Sequence, residues 1–279
     1  MSRMSKTFGY IPRDSVIHRL TGASKLILTL TLSIAAMITY DTRFIVLVIV
    51  TSFVMFRLAK VRFSDMKVVL ILVTVFFIIN NVVTFLFSPE HGVDIYGTRT
   101  ELFHIAGRYY VTSEALFFHL NMSLKYFAIV PIALVFFLTT DPSEFASSLN
   151  TVKVNYKVSY AVALTLRYIP DVQRSYREIS QAQQARGVDI SKKAPLRKRF
   201  TGILAILFPL VFSSMDRIEL ISNAMELRGF GRKKKRTWYS YRRFTKWDVV
   251  VVIVGILFVA LSALTIVINN GRFYNPFIS

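Results

Sequence analysis

Long apolar runs separated by strongly basic segments are the feature that most constrains this chain. Residues 68–87 and 249–268 form runs of about 20 residues, and residues 115–138 form a slightly longer one. A bilayer core about 30 Å thick needs about 20 apolar residues in a helix to cross it. Because lipid offers no hydrogen bonds to the backbone, these runs predict an all-α integral membrane protein.

Two shorter apolar runs come first in the chain, at residues 26–40 and 44–59. The short polar break between them, Asp41-Thr42-Arg43, predicts a helical hairpin in the membrane; the alternative is a buried hairpin of a soluble protein. With the three longer runs they make about five transmembrane helices. Residues 88–114 contain Pro89 and mixed charge, which predicts an extramembrane segment with short strands near 93–96 and 110–112.

The positive charges are segregated from the apolar runs. The net charge is +19, and 30 of the 35 Lys and Arg residues lie in 1–25, 57–67 and 139–247. The positive-inside rule then places the amino terminus in the cytoplasm and the carboxyl terminus outside. We therefore expect a four-helix membrane domain at 1–139, cytoplasmic helices at 140–247, and a last transmembrane helix with a short tail at 248–279.

One nine-residue pattern, Ile-Ser-(Gln/Asn)-Ala-x-x-x-Arg-Gly, occurs twice in the basic segment, at residues 179–187 and 221–229. Glycine adopts the left-handed conformation that ends a helix, and a cation near that end suits the helix dipole. The Ala four positions before each Arg leaves a bare patch beside the guanidinium. The shared positions are Ala182, Arg186 and Gly187 in the first copy and Ala224, Arg228 and Gly229 in the second. One copy is uninformative, but two matched copies indicate a paired docking surface and hence a two-fold partner.

Two further stretches of the basic segment have a membrane interpretation. Residues 202–215 form an apolar island of about 14 residues, which suits an interfacial, re-entrant or protein-buried helix better than a transmembrane one. The basic run at 232–236 predicts anchoring to anionic lipid. No nucleic-acid partner is expected.

The sequence does not favour catalysis. It has no P-loop, no His-Glu-x-x-His helix and no cysteine, and its four histidines are scattered. We therefore expect no catalytic residue, metal site or cofactor. An intramembrane enzyme is the least favoured alternative.

Lys125 is predicted to lie near the middle of a membrane helix, where a cation is costly. Asn80, Asn81 and Asn121 are the side chains expected to satisfy it across helices. The cluster is either a functional polar site or a contact that holds helices together.

Three motifs resemble those of a known family, the transmembrane coupling (T) components of energy-coupling factor (ECF) transporters. They are Ser-Val-Ile-His-Arg-Leu at 15–20 followed by Lys25-Leu26, Thr-Thr-Asp-Pro-Ser-Glu at 139–144, and Leu-Arg-Tyr-Ile-Pro at 166–170. The resemblance covers nearly the whole chain. Members of this EcfT/CbiQ-like family belong to bacterial and archaeal ABC-type importers of vitamins and transition-metal ions, so the resemblance implies a bacterial or archaeal cell membrane as the location.

The repeated pattern is similar to this family's paired Ala-x-Ala-Arg-Gly signatures. Ala185, Arg186 and Gly187 match the first signature, and Arg228 and Gly229 match the second; Gln183 and Leu227 replace alanines. The resemblance implies that the arginines dock two ATP-binding cassette (ABC) ATPase subunits. It also implies that a separate substrate-binding membrane subunit receives the ATP-driven motion. The alternative is the permease of a conventional ABC transporter, whose Glu-Ala-Ala-x-x-Gly helix the sequence lacks.

Overall fold

A computed structural model describes residues 10–62, 64, 67–107, 109–190, 195–232, 237–238 and 241–277, without the side chains of 105 and 106. These residues form two compact units. The membrane unit consists of Gly9–Asp141 and Arg242–Ser279, and the helical unit of Pro142–Tyr241, each within the described ranges. Most of the basic run predicted to bind lipid, 233–236, lies outside the described residues.

The described residues of the membrane unit form seven helices and one hairpin. Its elements are α1 Val16–Arg19, α2 Gly22–Ile38, α3 Thr42–Leu58, α4 Lys67–Phe87, α5 His91–Tyr96, β1 Glu101–Ala106, β2 Tyr109–Thr112, α6 Ser113–Thr139 and α10 Lys246–Ile268. Each predicted apolar run is a helix, and α4, α6 and α10 are long and apolar enough to cross a membrane. The predicted all-α membrane fold is confirmed, with one short antiparallel hairpin added to it.

The core of the membrane unit lies between α2, α3 and α6, with α10 packed on the outside of α2. Small and branched side chains let these helices approach closely. The core members with no exposed surface are Leu32, Ala35, Ala36, Ile45, Val48, Ala59, Ala128 and Ile132. In contrast, α4 has no buried residue and contacts α6 only lightly.

Gly255 allows α10 to approach α2. A Cβ atom added at this buried glycine would overlap Thr31 Oγ1 and would lie 3.3 Å from Thr31 Cβ. We expect Gly255→Ala to destabilise the protein by about 1–3 kcal/mol, the usual effect of overpacking. Thermal unfolding in detergent measures this change.

Thr31→Ala provides the control for this prediction because it removes the oxygen that the new methyl group would strike. Thr31 Oγ1 donates only within its own helix, to Ile27 O at 2.8 Å and Leu28 O at 3.1 Å. The double variant should therefore regain much of the lost stability. Additive losses from the two substitutions would contradict a direct clash between these residues.

At one end of the membrane unit, called here the basic end, buried polar groups join distant parts of the chain. The Asp248 carboxylate is fully buried and accepts hydrogen bonds from Thr21, Ser24 and Thr245. Lys25 is also buried, and its Nζ donates to Thr139 O at 2.9 Å. These contacts tie the starts of α2 and α10 to the end of α6.

At the opposite end, the residues after α10 fold back over the turn between α2 and α3. Tyr40 N donates to Arg272 O at 2.7 Å, and Asn269 Nδ2 donates to Asp41 Oδ2 at 2.8 Å. The Arg43 guanidinium lies 4.1 Å from the centre of the Tyr274 ring. A tail of about ten residues thereby covers the hairpin turn.

The segment between α4 and α6 differs in part from expectation. Residues 110–112 lie in β2 as predicted, but 93–96 belong to helix α5 and not to a strand. These residues form a helix for two reasons. Gly97 ends the helix in the left-handed conformation, with φ of 72°, and Gly92 packs directly on the Ala115 backbone. Burial raises the pKa of the Tyr96 phenol at the end of α5, and the Asn121 side chain opposes this rise.

The helical unit contains α7 Pro142–Thr151, α8 Tyr156–Ala185 and α9 Leu196–Leu227. Both long helices contain a proline, Pro170 in α8 and Pro209 in α9. Each helix continues through its proline. The apolar island at 202–215 is therefore part of α9, and only Gly202 and Ile206 in it are buried. The island is not buried in this chain's own core.

Candidate functional site: two arginine-capped helix ends

The first copy of the repeated pattern ends α8 in a Schellman motif. Arg186 is the C-cap residue, and Gly187 follows it with φ of 85°. Val188 N donates to Gln183 O at 3.0 Å, and Gly187 N donates to Gln184 O at 2.9 Å. This is the six-to-one and five-to-two pairing that satisfies the last carbonyls of a helix.

The second copy ends α9 with the same geometry. Arg228 is the C-cap residue, and Gly229 has φ of 66°. Phe230 N donates to Met225 O at 2.9 Å, and Gly229 N donates to Glu226 O at 2.8 Å. The repeated sequence therefore folds into one repeated structure, and both arginines occupy the same position in it.

The first helix end is held against the early part of α9. The space above Gly202 is filled by Val188 and Ile190, whose methyl groups lie 3.0 and 2.9 Å from an ideal Cβ position. Gln183 Nε2 donates to Ala205 O at 3.2 Å. Gln183 thus forms a contact between the two helices.

The second helix end is held against the start of α8 and against α7. Phe230 packs on the rings of Tyr156 and Tyr160, with centroid separations of 5.4 and 4.8 Å. The Tyr156 hydroxyl accepts from Gly231 N at 3.1 Å. Trp238 Nε1 donates to Asn150 Oδ1 at 3.1 Å. Aromatic packing therefore fixes the chain immediately after Arg228.

These contacts make α8 and α9 an antiparallel pair. Gln183, near the end of α8, meets Ala205 early in α9, whereas Tyr160, near the start of α8, meets Phe230 just past the end of α9. The two arginine-capped ends consequently lie at opposite ends of the pair. About 26 residues of helix separate them, or about 40 Å at 1.5 Å per residue.

The docking residues predicted from the sequence are accessible. Gly229 is half-buried, and the others are exposed: Ala182, Ala185, Arg186, Gly187, Ala224 and Arg228. Leu227, beside the second arginine, is 90% exposed. In the described ranges of the chain, neither arginine's guanidinium has an ion pair or hydrogen bond. Both are available to a partner.

The predicted partners of Lys125 are wrong. Its Nζ donates to Met37 O at 3.1 Å and lies 3.1 Å from the centre of the Tyr40 ring. This position at the end of α2 gives the cation a carbonyl dipole and an aromatic face. Lys125 therefore lies at the hairpin turn, and its hydrogen bond goes to a backbone carbonyl and not to an asparagine side chain.

The three asparagines serve other contacts. Asn121 is buried and accepts from Thr42 Oγ1 at 2.6 Å, which joins α6 to α3. Asn81 Oδ1 lies 2.8 Å from His119 Nδ1, which joins α4 to α6. Asn80 Oδ1 is buried and has no hydrogen-bond partner among the described residues. The polar groups are distributed between helices and do not form one cluster.

Two buried carboxylates were missed by the sequence interpretation. Asp248 belongs to a capping box with Thr245, a spacing visible in the sequence. Glu114 is fully buried and accepts from Thr98 Oγ1 at 3.0 Å and Thr100 N at 3.1 Å. Both carboxylates accept from backbone N–H groups just before secondary-structure elements begin, and so hold the starts of those elements in place. No group of three or more metal-ligating side chains occurs in the part of the chain that the structure describes.

The comparisons with known proteins agree with these observations. Residues 13–239 match the family model CbiQ, described as cobalt transport protein. Three similar proteins are named energy-coupling factor transporter transmembrane protein EcfT. The protein of Exiguobacterium sibiricum is 27% identical over 274 residues, covering 94% of this chain and 98% of the relative. That of Bacillus selenitireducens is 28% identical over 263 residues, covering 90% and 93%.

The third, from Streptococcus equi subsp. equi, is 28% identical over 277 residues, covering 91% of this chain and 95% of the relative. The matched residues of the family model include both arginine-capped helix ends. Because that model covers most of the sequence, the chain belongs to the CbiQ family, the transmembrane (T) components of energy-coupling factor transporters.

Proposed function

We propose that this chain is the coupling subunit of an ECF importer and that each arginine-capped helix end docks one ABC ATPase subunit. The observation that carries the proposal is the repetition of one exposed cap geometry at the two opposite ends of the α8–α9 pair. Two identical contacts about 40 Å apart suit a dimeric partner with one groove per subunit.

The chemistry of each end supports a protein partner. An exposed guanidinium lies beside a small alanine, so a partner surface can reach the helix backbone closely. Arginine is enriched among the residues that dominate protein interfaces. Since the sequence contains no P-loop to hold ATP phosphates, we propose that ATP hydrolysis belongs to the docked subunits.

The membrane unit has the complementary role in this proposal. It would hold a separate substrate-binding membrane subunit, which takes up a vitamin or a metal ion and moves when the ATPases move the helical unit. We propose that the basic end and both arginine-capped ends face the cytoplasm, with the carboxyl terminus outside. The support is the charge asymmetry, because most cations fall in the segments assigned to that side.

Cysteine cross-linking tests the docking directly, because the chain contains no cysteine of its own. Ala185→Cys and Leu227→Cys each place one thiol beside one arginine at an exposed position. When the chain is co-expressed with the neighbouring ATPase and small membrane subunits, each variant should cross-link to an ATPase subunit.

Ser213→Cys serves as the matched control. It is exposed on α9 but lies about four turns before Arg228, so it should give much less of that product. Equal cross-linking of all three variants to the ATPases would contradict docking at the helix ends.

A further inference from the structure

A second group of charges lies in the membrane unit, where the tail after α10 crosses the turn between α2 and α3. Lys125 of α6 and Arg272 of the tail meet there and are called here the tail site. Tyr40 links them, because the centre of its ring lies 3.1 Å from Lys125 Nζ and its N–H donates to Arg272 O at 2.7 Å. Arg272 is close enough to act electrostatically on Lys125. The tail site therefore brings two positive charges together.

Among the residues that the structure describes, no carboxylate forms an ion pair with either cation of the tail site. Asp41, the carboxylate of this turn, is buried, and its oxygens accept from two backbone N–H groups at the start of α3 and from Asn269 Nδ2. Lys125 contacts the Met37 carbonyl and an aromatic ring, neither of which carries a net charge. The tail site thus has a formal charge of +2 that no ion pair offsets.

A third cation, Arg43, lies at the same turn. Its Nη2 donates to Tyr274 Oη at 2.6 Å, and its guanidinium lies over the Tyr274 ring. A guanidinium has five N–H donors, and this hydrogen bond uses one of them. Arg43 and Arg272 are exposed, whereas Lys125 is half-buried. Arg43 therefore adds positive charge and hydrogen-bond donors beside the tail site.

The depth of the tail site follows from the lengths of the helices. Helices α2 and α3 have 17 residues each and are therefore about 25 Å long, whereas a bilayer core is about 30 Å thick. Lys125 lies about 21 Å along α6 from Thr139, whose carbonyl belongs to the basic end. With the basic end at one surface of the core, the tail site lies several ångströms inside the other. Cations at that depth are costly unless an anion accompanies them.

An apolar stripe on α3 indicates where such an anion would come from. Leu47, Val50 and Val54 follow Arg43 at spacings of three or four residues, so all four lie on one face of the helix, and all four are exposed. A phospholipid can place its phosphate at the arginine and its acyl chain on the apolar side chains. A free phosphate ion gains nothing from the stripe. The stripe therefore favours a lipid as the source.

We propose that the tail site binds a phosphate-bearing anion and that an anionic phospholipid supplies it. A bilayer accommodates short helices by thinning, which brings headgroups toward the α2–α3 turn. The lysine and the guanidinium groups then bind phosphate oxygens through charge-assisted hydrogen bonds. This inference goes beyond the proposed docking function; only the assignment to the outer leaflet rests on the orientation proposed there.

The test uses the purified full chain in a non-ionic detergent. Short-chain phosphatidylglycerol, short-chain phosphatidylcholine and inorganic phosphate are titrated separately, and Kd is obtained from the thermal shift and from native mass spectrometry. Phosphatidylglycerol should bind more tightly than phosphatidylcholine by about tenfold or more, because only its headgroup has a net negative charge. Inorganic phosphate should not displace the lipid. Displacement would overturn the lipid as the source and leave a site for free phosphate, and equal binding of the two lipids would overturn the proposal.

Substitutions in the tail site make the test specific. Arg272→Gln should weaken phosphatidylglycerol binding about fivefold, the effect of one cation near a membrane surface. Lys125→Gln with Arg272→Gln should weaken it about 25-fold, and Lys125→Arg, which keeps the charge, should change Kd by less than about twofold. Arg272 is exposed and, among the described residues, bonds only through its backbone carbonyl. The Arg272→Gln protein should therefore unfold at the parent's temperature when no lipid is added.

Two controls remove positive charge elsewhere. Arg99→Gln acts at the same end of the membrane unit, but Arg99 already pairs with Glu90 and Glu101, at 3.3 and 2.8 Å. Arg174→Gln with Arg177→Gln removes two exposed charges from α8. Neither control should change Kd by more than about twofold.

Unchanged lipid binding in Arg272→Gln would overturn the proposal. A loss in the α8 control equal to that of the double variant would overturn it as well, because it would mean diffuse attraction to the basic chain. If the double variant does not fold, Arg272→Gln and Lys125→Arg still decide. ATPase docking is unaffected by any of these results, so the two proposals fail separately.

Discussion

Arg186→Glu combined with Arg228→Glu is expected to release the chain from both ATPase subunits and to abolish transport. Truncating a central interface arginine costs about 2 kcal/mol or more. Two such losses amount to about 4 kcal/mol, or roughly a thousandfold in affinity, before any repulsion by the new carboxylates. Both positions are exposed C-caps, so the fold of the free chain should tolerate the change. Co-purification of the ATPases with the tagged chain measures the loss.

The single variants, Arg186→Glu alone and Arg228→Glu alone, test whether the two ends act as separate contacts. Because the two ends lie at opposite ends of the antiparallel pair, each variant should lose one contact and retain the other. A dimeric ATPase that has lost one contact remains partly bound through the other contact, but without the gain in affinity that two linked contacts provide. Each single variant should therefore copurify with reduced ATPase, and the double variant with almost none.

Arg174→Glu with Arg177→Glu is the matched control for the double reversal. It makes the same change in charge at two exposed positions on α8, more than two turns before its capped end. It should retain the ATPases. Full ATPase binding and full transport in the Arg186→Glu, Arg228→Glu variant would rule out docking at these ends.

Asp248→Ala is expected to have the largest effect on the stability of the membrane unit. The buried carboxylate accepts from Thr21 N at 2.8 Å, Ser24 Oγ at 2.6 Å and Thr245 N at 2.7 Å, and from the hydroxyls of Thr21 and Thr245. Its removal leaves the buried Thr21 N–H without an acceptor, at a cost of about 1–3 kcal/mol, and it also removes the charge-assisted bonds from the Thr21, Ser24 and Thr245 hydroxyls. We expect a loss of about 3 kcal/mol or more, measured by thermal or denaturant unfolding in detergent.

Two further substitutions provide comparisons for the Asp248→Ala variant. Asp248→Asn retains one acceptor oxygen and should lose less stability than the alanine variant. Asp216→Ala removes an exposed carboxylate from α9 and should change stability by no more than about 0.5 kcal/mol. An Asp248→Ala protein as stable as the Asp216→Ala protein would show that the buried hydrogen bonds contribute little.

Much of the architecture could be predicted because it depends on composition and local spacing. Helices α4 and α10 follow apolar runs of the length a bilayer requires. The left-handed glycines at 187 and 229 follow from the Arg-Gly pairs, since only glycine takes this conformation at little cost. The repeated nine-residue pattern likewise predicted that the same helix cap would occur twice in the structure.

The errors concern interactions that no local pattern encodes. The alternation at 93–96 suggested a strand, but contact between Gly92 and the Ala115 backbone favours a helix. Lys125 was paired with asparagines by residue type, whereas the packing of α6 places it at Tyr40. The capping box at Thr245 was visible, but its link to Ser24 depends on the tertiary fold.

The bonds that close both ends of the membrane unit also determine when it can be completed during synthesis. Thr21 and Asp248 are separated by 227 positions, and Asp41 and Asn269 by 228. A ribosome adding about 5–20 residues per second needs roughly 10 to 45 s to make the chain between such partners. For that time α2 lacks the carboxylate that its first residues require. The α2–α3 hairpin is made early but is therefore among the last parts of the unit to form all of its hydrogen bonds. Until α10 has been synthesised, the polar groups at its ends must bond to water or to the insertion machinery.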